Sequence, residues 1–324
     1  MFQFMPFFSI VTPLYNKAEF FHQTIASVLN QSFSDWEWII VDDGSTDGGP
    51  RLARGAAEQN PKVALVSQKN TGPCSARNHG IRLARGKWVL FLDADDVLLP
   101  SYLEEISNCC QGSNAGIHAG GWAEYDASLQ ECVCLHRPAG AGEKGSLATL
   151  FNSAIAFAPW HPAAAVVRRD LLIEKYLWEE SMNRLLTEDT VFWWRLIASF
   201  PVKLESFCGV KYRRGTTGCR DQVDDFPKWG EGLMCALKWN LDFLTASRLQ
   251  PNPMQVKNLV NVLSRFAFEA ASAGHDVVSC EAYKLADSIL HRAPWKTLKI
   301  ILWKVACAQR AERFKRMLRK AKNG

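Results

Sequence analysis

Short apolar runs alternate with longer stretches of helical spacing along the first part of the chain. Apolar or β-rich runs of strand length occur at 8–12, 36–41, 63–67 and 87–92. The segments between them, at 19–29, 50–59 and 75–84, are typical of amphipathic helices. This repeated strand–helix order predicts an α/β fold with right-handed connections and a parallel sheet.

The later chain is less regular, but its pattern still predicts elements. A helix at 102–109 is followed by two weaker strands near 117–125 and 132–136, and further strands are predicted at 163–167 and 208–213. A helix opens at Thr187, and from 228 onward the spacing is helical, with breaks at prolines and glycine. We therefore predict two domains, 1–225 and 226–324, of which the second is a C-terminal helical extension with a basic tail.

The apolar run at 87–92 ends in three carboxylates, Asp93, Asp95 and Asp96. Ligands of open α/β sheets bind beyond the carboxyl ends of the strands, so these side chains are expected to face a ligand. Asp93 and Asp95 point to the same side of an extended chain, which suits a hard divalent cation and the phosphates of a substrate. The alternative interpretation is a loop of helix-capping aspartates before Pro100.

Polar residues follow the other strands as well. The predicted sheet brings four polar segments together, at 13–16, 42–45, 70–78 and 93–96. In this arrangement Asp42 can accept the imino hydrogen of a pyrimidine, and Asp93 can bind ribose hydroxyls. Asp95 can bind Mn²⁺ or Mg²⁺ that bridges a diphosphate. Arg77 and the metal would then neutralise the charge of a departing diphosphate.

Asp189 is the candidate general base. It lies far along the chain at the start of a helix, after Thr187 as the predicted N-cap. A helix N-terminus favours the ionised form of a carboxylate, which is the form that accepts a proton. The neighbouring Glu188 is either an acceptor contact or a second acid of the first helical turn.

Five motifs occur along the chain in an order that resembles a known family. They are Val11-Thr12-Pro13-Leu14-Tyr15-Asn16, the sequence VDDGSTD at 41–47, Asn70-x-Gly72 with Ala76-Arg77-Asn78-x-Gly80, Phe91-Leu92-Asp93-Ala94-Asp95-Asp96, and Glu188-Asp189. Over roughly residues 8–215 they resemble the inverting family 2 glycosyltransferases of GT-A fold.

The resemblance implies a Rossmann-like, mostly parallel sheet flanked by helices, and a nucleotide-diphosphate sugar donor that is often UDP-linked. It implies Mn²⁺ or Mg²⁺ at the Asp-x-Asp pair, with Asp95 as the metal ligand. Asp189 would deprotonate a hydroxyl of a saccharide or lipid-linked acceptor, and the sugar would be transferred with inversion, as in cell-surface polysaccharide or glycolipid synthesis. The donor is expected to contact Pro13, Tyr15, Asn16, Asp42, Asn70, Arg77, Asp93 and Ala94.

The chain departs from the family pattern at its last strand. Many relatives carry a His shortly after a Tyr-Arg pair, whereas Tyr212-Arg213-Arg214 runs into Gly215 here. Arg213, Arg214 or water are therefore candidates to contact the metal or the diphosphate instead. His161, which precedes Pro162, is either an acceptor contact or a packing residue. In the second motif, Asp43 and Asp47 are expected to be turn or cap residues.

Composition and cysteine spacing limit the classes of protein to which this chain can belong. No run of about 18 or more apolar residues occurs, so no membrane-spanning helix is predicted. The short apolar start has no basic segment and is not predicted to be a signal peptide. The ten cysteines lack the spacing of a zinc site and are typical of a reducing compartment, so we expect a cytoplasmic protein.

Two glycine patterns imitate nucleotide-binding loops. The pattern Gly140-x-Gly142-x-x-Gly145 fits a dinucleotide fingerprint formally, but no βαβ unit with a ribose-binding acid follows it. The segment 80–87 imitates a P-loop, but its glycine spacing is one residue too long and Trp88 stands where Ser or Thr would hold magnesium. Neither pattern is interpreted as a binding site.

Positive charge is concentrated at the C-terminus. Residues 296–324 hold ten Lys or Arg and one Glu, whereas the rest of the chain holds 28 basic and 32 acidic residues. The segment 310–322 predicts a basic amphipathic helix, which favours a peripheral position on an anionic membrane surface. The alternative is a solvated C-terminus. No nucleic-acid-binding motif accompanies the charge, so no nucleic-acid partner is expected.

Two other functions stay open at this point. A sugar nucleotidyltransferase can share this type of sheet, but it would need a glycine-rich N-terminal loop with a basic residue, which 11–16 does not offer. A non-catalytic nucleotide-sugar-binding protein would lack the base, yet Asp189 is present.

Overall fold

Four buried runs near the start of the chain form the parallel strands that position the site. They are β1 (Phe8–Leu14), β2 (Trp36–Asp42), β3 (Val63–Ser67) and β4 (Trp88–Phe91). Three helices connect them in turn: α1 (Ala18–Leu29), α2 (Gly49–Gln59) and α3 (Pro73–Leu83). Every residue of β2 and β4 is buried, as expected for strands of a sheet that is covered on both faces.

The structure is a computed structural model that describes residues 5–137, 158–215 apart from 173, 184 and 186, 226–247, 253–272 and 275–292. The chain divides into two compact units, Met1–Asp224 and Asp225–Gly324. The predicted glycine-rich loop at 138–145 and the basic tail at 296–324 lie outside the described residues. Among the helices that the structure does describe, none has the length and apolar character needed to cross a membrane.

The rest of the first unit adds strands on one side of the sheet. Its further elements are β5 (Val97–Leu98), α4 (Tyr102–Cys110), β6 (Ile117–Tyr125), β7 (Cys132–His136), β8 (Ala165–Arg168), α5 (Glu188–Ser199) and β9 (Val202–Arg213). The strands lie in the order β3-β2-β1-β4-β8-β6-β9-β5, with β7 paired to β6.

Parallel pairing is concentrated among the first four strands. β1 pairs with β2 and β4 in parallel, and β2 pairs with β3 in parallel. Beyond β4 the sheet is mixed, because β8 is antiparallel to both β4 and β6 while β6 and β9 run in parallel. The α/β class predicted from the sequence is confirmed, with its parallel part confined to β1–β4 and the β6–β9 pair.

An aromatic cluster fixes α5 against the central strand. The ring of Phe91, the last residue of β4, lies 5.4 Å from Phe192 and 6.5 Å from Trp193, both on α5. Trp178 stacks on Phe192 at 4.0 Å and meets the edge of Phe91 at 5.2 Å. These large buried rings bring the first turn of α5 to the carboxyl end of β4, where the acidic loop begins.

The second unit is helical. Its described elements are α6 (Phe226–Ala246), α7 (Pro253–Ser272) and α8 (Asp276–Arg292), which pack on one another. Its buried side chains are mainly Leu, Val and Ala, such as Leu237 on α6 and Leu263 on α7. The helical character predicted after 228 is therefore present, and the functional assignment of this region stays a prediction.

Candidate active site

A cleft of about 740 Å³ opens at the carboxyl ends of β1, β2 and β4. Strand and loop ends with polar side chains meet here, as the sequence predicted. The cleft is lined by Pro13, Tyr15, Asn16, Lys17, Asp43, Asn70, Thr71, Gly72, Pro73, Arg77, Asp93, Ala94, Asp95, His161, Pro162, Asn183, Asp189 and Tyr212. Ten of the residues proposed from the sequence are in this lining.

The acidic loop after β4 contains the carboxylates of Asp93, Asp95 and Asp96. Each of them has a basic side chain close to it. Arg77 Nη2 donates to Asp93 Oδ1 at 2.7 Å. Lys17 Nζ donates to Asp95 Oδ2 at 2.6 Å. His161 Nε2 lies 3.2 Å from Asp96 Oδ2. The basic partners come from three different segments, so the loop joins α3, the β1–α1 loop and the start of β8.

Asp93, Asp96 and His161 form a candidate metal site. One ligand atom from each lies within 4.8 Å of the others. Carboxylate oxygens fit a hard divalent cation. The imidazole Nδ1 accepts from Ala163 N at 3.3 Å, which leaves the proton of the neutral ring on Nε2. His161 can therefore join the carboxylates through Nε2 only when the ring proton moves to Nδ1 and the hydrogen bond from Ala163 N is given up.

This candidate metal site differs from the sequence prediction, which named Asp95 alone. Asp95 lies in the same cleft, but its Oδ2 faces the ammonium of Lys17. Asp96 is fully buried and holds its loop by accepting from Arg213 N at 3.0 Å. The sequence does not show which of Asp95 and Asp96 faces the metal site. In a turn, unlike in a strand, adjacent side chains do not point to opposite sides in a regular way.

Asp189 lies in the cleft at the first turn of α5. Burial raises the pKa of Asp189 to about 6, and the hydrogen bond from Thr190 N and the charge of Arg77 oppose that rise. The Thr190 N–H···Oδ1 distance is 2.8 Å. A carboxylate with this pKa is mostly ionised near neutral pH and is a stronger base than an exposed aspartate, which is what general base catalysis requires.

Arg77 couples the acids of the cleft. Its side chain is 3 % exposed, with Nη2 on Asp93 and Nη1 at 3.5 Å from Glu188 Oε1. The guanidinium also lies over the Trp178 ring at 4.4 Å. Burial lowers the pKa of Arg77, but the charge of Asp93 and its hydrogen bond outweigh burial, so the pKa lies above its ordinary value. Glu188 itself is buried and is not in the cleft lining.

The end of β1 and the loop after it carry three of the predicted donor contacts. Pro13, Tyr15 and Asn16 all line the cleft, and Tyr15 is 47 % exposed. Asn16 adopts a left-handed backbone conformation with φ of 50°, a region in which Asn is tolerated better than most residues. Its side-chain Oδ1 accepts from Thr46 N at 2.8 Å, which ties this loop to the one after β2.

The two aspartates after β2 have different surroundings. Asp42 is buried outside the cleft lining, and its Oδ1 accepts from Ser45 N at 2.9 Å. Asp43 lines the cleft and accepts from the backbone N–H groups of Thr71 and Gly72 at 2.9 and 2.8 Å. Asp43 thus holds the loop that includes Asn70, in keeping with the structural role predicted for it.

The two arginines at the end of β9, Arg213 in the strand and Arg214 directly after it, lie away from the cleft lining. Arg213 is buried, and its side chain donates to Asp95 O at 2.9 Å and to Ala127 O and Gln23 Oε1. Arg214 is directed to Glu124 Oε2 at 3.0 Å with its side chain 43 % exposed. In place of either arginine, the imidazole of His161 reaches the site and packs on Tyr212 at 4.6 Å.

Three lining residues carry contacts that sequence reasoning did not assign. Lys17 directly follows Asn16 at the end of the first motif. This position next to predicted donor contacts is the only feature of the sequence that indicates a place in the site. Asn183 accepts from Cys74 N at 2.8 Å and donates to Thr71 O at 2.7 Å, so it fixes the start of α3. Tyr212 lies on β9, and the residue pattern of that segment predicts a strand but not which of its side chains face the cleft. Asn183 gave no sequence signal, because its partners lie more than a hundred residues away.

The cleft can therefore hold an anionic ligand against Arg77 and Lys17, place a divalent cation among carboxylates, and offer a base at Asp189. The nearness of acids and bases in one cavity is typical of group transfer with a charged leaving group.

Comparisons with known proteins identify relatives of the first part of the chain. The sequence profile of glycosyl transferase family 2 matches residues 9–156. The uncharacterized glycosyltransferase YibD of Escherichia coli (strain K12) is 42 % identical over 98 residues, which is 30 % of this chain and 28 % of YibD. The aligned parts of four curated bacterial relatives cover between 28 % and 49 % of the length of those relatives.

Solved structures share the fold. S. aureus TarS in complex with UDP-GlcNAc superposes with a TM-score of 0.55 at 16 % identity, over 89 % of this chain and 93 % of that one. The mannosyltransferase PcManGT from Pyrobaculum calidifontis, in complex with GDP-Man and Mn²⁺, superposes with a TM-score of 0.50 at 18 % identity, over 88 % of each chain.

Proposed function

Because the chain carries a family 2 glycosyltransferase domain on a GT-A fold, we propose that it moves a sugar from a nucleotide-diphosphate donor, UDP-linked in the first instance, to a hydroxyl of a saccharide or lipid-linked acceptor with inversion. The observation that carries the proposal is the shared cleft, in which Asp189 faces the same cavity as Asp93, Asp95 and Arg77. A base and a diphosphate-binding set in one cavity are what the transfer needs.

The reaction assigns a separate task to each side of the cleft. The ionised Asp189 takes the proton of the acceptor hydroxyl as its oxygen attacks the anomeric carbon. A new bond from that oxygen to carbon forms while the bond from carbon to the donor phosphate oxygen breaks, and its electron pair leaves with the nucleoside diphosphate. Attack from the face opposite the leaving group inverts the anomeric configuration.

Arg77 and Lys17 are the basic side chains that support the leaving group. Both lie in the lining of the cleft, and Arg77 is fixed by Asp93 and Trp178. A buried guanidinium with few alternative positions stabilises developing negative charge without reorganisation. A bound divalent cation would add further neutralisation of the diphosphate.

The carboxylates of the acidic loop are the residues that would hold this cation. Asp93 and Asp96 together with His161 bring oxygen and nitrogen ligands within reach of one ion, and Asp95 is adjacent. A mixed set of carboxylate oxygens and an imidazole suits Mn²⁺ better than Mg²⁺, which prefers oxygen ligands alone. The structural relative PcManGT was solved with Mn²⁺, which supports the same choice here.

A thermal-shift panel tests the donor class. UDP, GDP and their sugar conjugates are added with Mn²⁺ or with EDTA. A ligand that binds only the folded protein stabilises it by about 2.7 kcal/mol at a hundredfold excess over its Kd. We expect UDP and a UDP-sugar to raise Tm, and Mn²⁺ to enlarge the rise.

Asp95→Asn is expected to reduce the part of the shift that depends on Mn²⁺. Asp170→Asn is the matched control, since Asp170 is exposed and pairs with Arg168 outside the cleft. If no nucleotide or nucleotide sugar changes Tm, the proposed donor class is wrong.

A further inference from the structure

The basic partner of Asp95 suggests how the acidic loop is kept ready for a cation. We infer that Lys17 is a built-in counter-ion of Asp95 that a divalent cation must displace, and that the freed ammonium then serves the donor diphosphate. The inference rests on the proposed function, since it concerns the same metal and the same diphosphate. It assigns Lys17 a role in metal affinity and donor binding.

The ion pair is short and largely shielded from water. Lys17 Nζ lies 2.6 Å from Asp95 Oδ2, and the two side chains are 18 % and 13 % exposed. Charge-assisted hydrogen bonds of this length are stronger than neutral ones. A cation that binds Asp95 has to compete with this ammonium for the same carboxylate.

The backbone of Lys17 is fixed, so its side chain has a defined origin. Lys17 O accepts from Phe20 N and Phe21 N at 3.1 and 3.0 Å in the first turn of α1. The next residue, Ala18, donates its N–H to Asp47 Oδ2 at 2.8 Å. These contacts fix the backbone at Lys17, and rotation of the four-carbon stem is the movement by which the ammonium would leave Asp95.

The other two basic partners of the acidic loop are held more firmly. Arg77 is 3 % exposed and packs on Trp178, and His161 packs on Tyr212 and accepts from Ala163 N. Lysine combines a compact charge with a flexible stem, whereas arginine is a rigid planar fork. Of these three partners, Lys17 is the one suited to exchange positions.

Charge balance explains why an exchange is useful. With Lys17 on Asp95 and Arg77 on Asp93, two of the three carboxylates of the loop face a cationic side chain before a ligand arrives. A divalent cation that arrives with a diphosphate satisfies Asp95 and releases one positive charge inside the cleft. The ammonium and the diphosphate then attract each other, and the attraction is stronger than in bulk water because the cleft limits their exposure to solvent.

Titration with Mn²⁺ alone tests the competition without any need for activity. Free Mn²⁺ is measured by electron paramagnetic resonance for the wild type, Lys17→Met and Lys17→Arg. Removing a charge-assisted pair should make Mn²⁺ bind Lys17→Met about tenfold more tightly. Lys17→Arg keeps the charge and should stay near the wild type. Lys62→Met is the control, since Lys62 bonds to Ser34 O at a distance from the cleft lining.

A second titration measures UDP at saturating Mn²⁺. With Asp95 occupied by the metal, Lys17→Met should bind UDP about fivefold more weakly than the wild type, and uridine binding should be unchanged, since uridine has no phosphate. Both results together support the inference. Melting curves of each variant show that it is folded.

The outcomes separate the two proposals. If Mn²⁺ binds Lys17→Met with wild-type affinity, or binds neither protein, the competition is refuted even where UDP binds well. If Lys17→Met gains Mn²⁺ affinity but neither protein binds any nucleotide, the displacement of Lys17 by the cation stands, whereas its service to a diphosphate and the proposed donor class are wrong.

Discussion

Arg77 is the residue through which the charges of the cleft are connected. It contacts Asp93 and Glu188 and lies on Trp178, with almost no exposure to water. Removing one partner of a buried ion pair leaves a buried charge uncompensated and typically costs about 3–5 kcal/mol. The same group is therefore expected to contribute both to stability and to donor binding.

Arg77→Met should lower the free energy of unfolding by about 3 kcal/mol or more, measured by urea denaturation. Arg168→Met provides the comparison, because Arg168 is 35 % exposed and its partner Asp170 is 60 % exposed. An exposed pair of this kind contributes about 0–1 kcal/mol. Equal losses in the two variants would contradict the coupling role of Arg77.

The pKa of Asp189 leads to a prediction about pH. Burial raises this pKa to about 6, and the base is active only as the carboxylate. As pH falls through 6, the acid form accumulates and kcat/KM should decline about tenfold per pH unit. Above pH 6 the ionised form dominates, and this group should cause no further change.

The pH profile of kcat/KM reports the free enzyme and is therefore the measurement to make. An aspartate with an ordinary pKa of 3.8 would keep kcat/KM level down to about pH 5. A level profile over that range would show that Asp189 is not buried as described or is not the base.

Single residues show where sequence reasoning reaches its limit. Asp93 and Arg77 were assigned to the site because each belongs to a motif that follows a predicted strand. The sequence leaves two roles open for His161, because its contact with Asp96 spans 65 positions of the chain and depends on the placement of β8. Lys17 was not assigned, because nothing in a local pattern shows which carboxylate a flexible side chain reaches.

At the scale of elements, the first strands and helices were predictable because each satisfies a local rule. β4 is a continuous apolar run, β2 is apolar apart from Glu37 and Asp42, and α1 has helical spacing. β9 begins at Val202, earlier than the predicted 208, and in its first half the strand buries Val202 and Glu205 and not every second side chain. The buried carboxylate of Glu205 is stabilised by His118, whose Nδ1 lies 2.8 Å from Glu205 Oε1. The antiparallel placement of β8 is a long-range feature with no local signal.

The contact between α3 and β1 gives a prediction at the same scale. A Cβ on Gly80 would lie 2.3 Å from Val11 Cγ1, whereas a Cβ on Gly55 of α2 would meet no atom within 4 Å. Gly80→Ala should lower the free energy of unfolding by about 1–3 kcal/mol through overpacking. Gly55→Ala should raise it by about 0.5–1 kcal/mol, since alanine favours a helix.

Chemical denaturation of both glycine variants measures the two effects with the same probe. Opposite signs support the close packing of α3 on the first strand, and with it the position of Arg77. A stabilised Gly80→Ala variant would mean that α3 does not approach Val11 as described.

At the scale of the whole molecule, the catalytic proposal concerns the first unit, Met1–Asp224. The second unit is helical in its described part. The membrane contact proposed for 310–322 falls outside the described residues and stays a prediction from charge and spacing. Donor and acceptor identity depend on pocket loops, which a fold class does not specify.

The stereochemistry of transfer tests the central claim most directly. An α-linked UDP-sugar selected by thermal shift is incubated with a saccharide acceptor panel, and the anomeric configuration of the product is determined by nuclear magnetic resonance. We predict a β-linked product, formed about 10²–10⁴-fold more slowly by Asp189→Asn at unchanged donor affinity. An α-linked product, or near-normal transfer by Asp189→Asn, would contradict inverting transfer with Asp189 as the base.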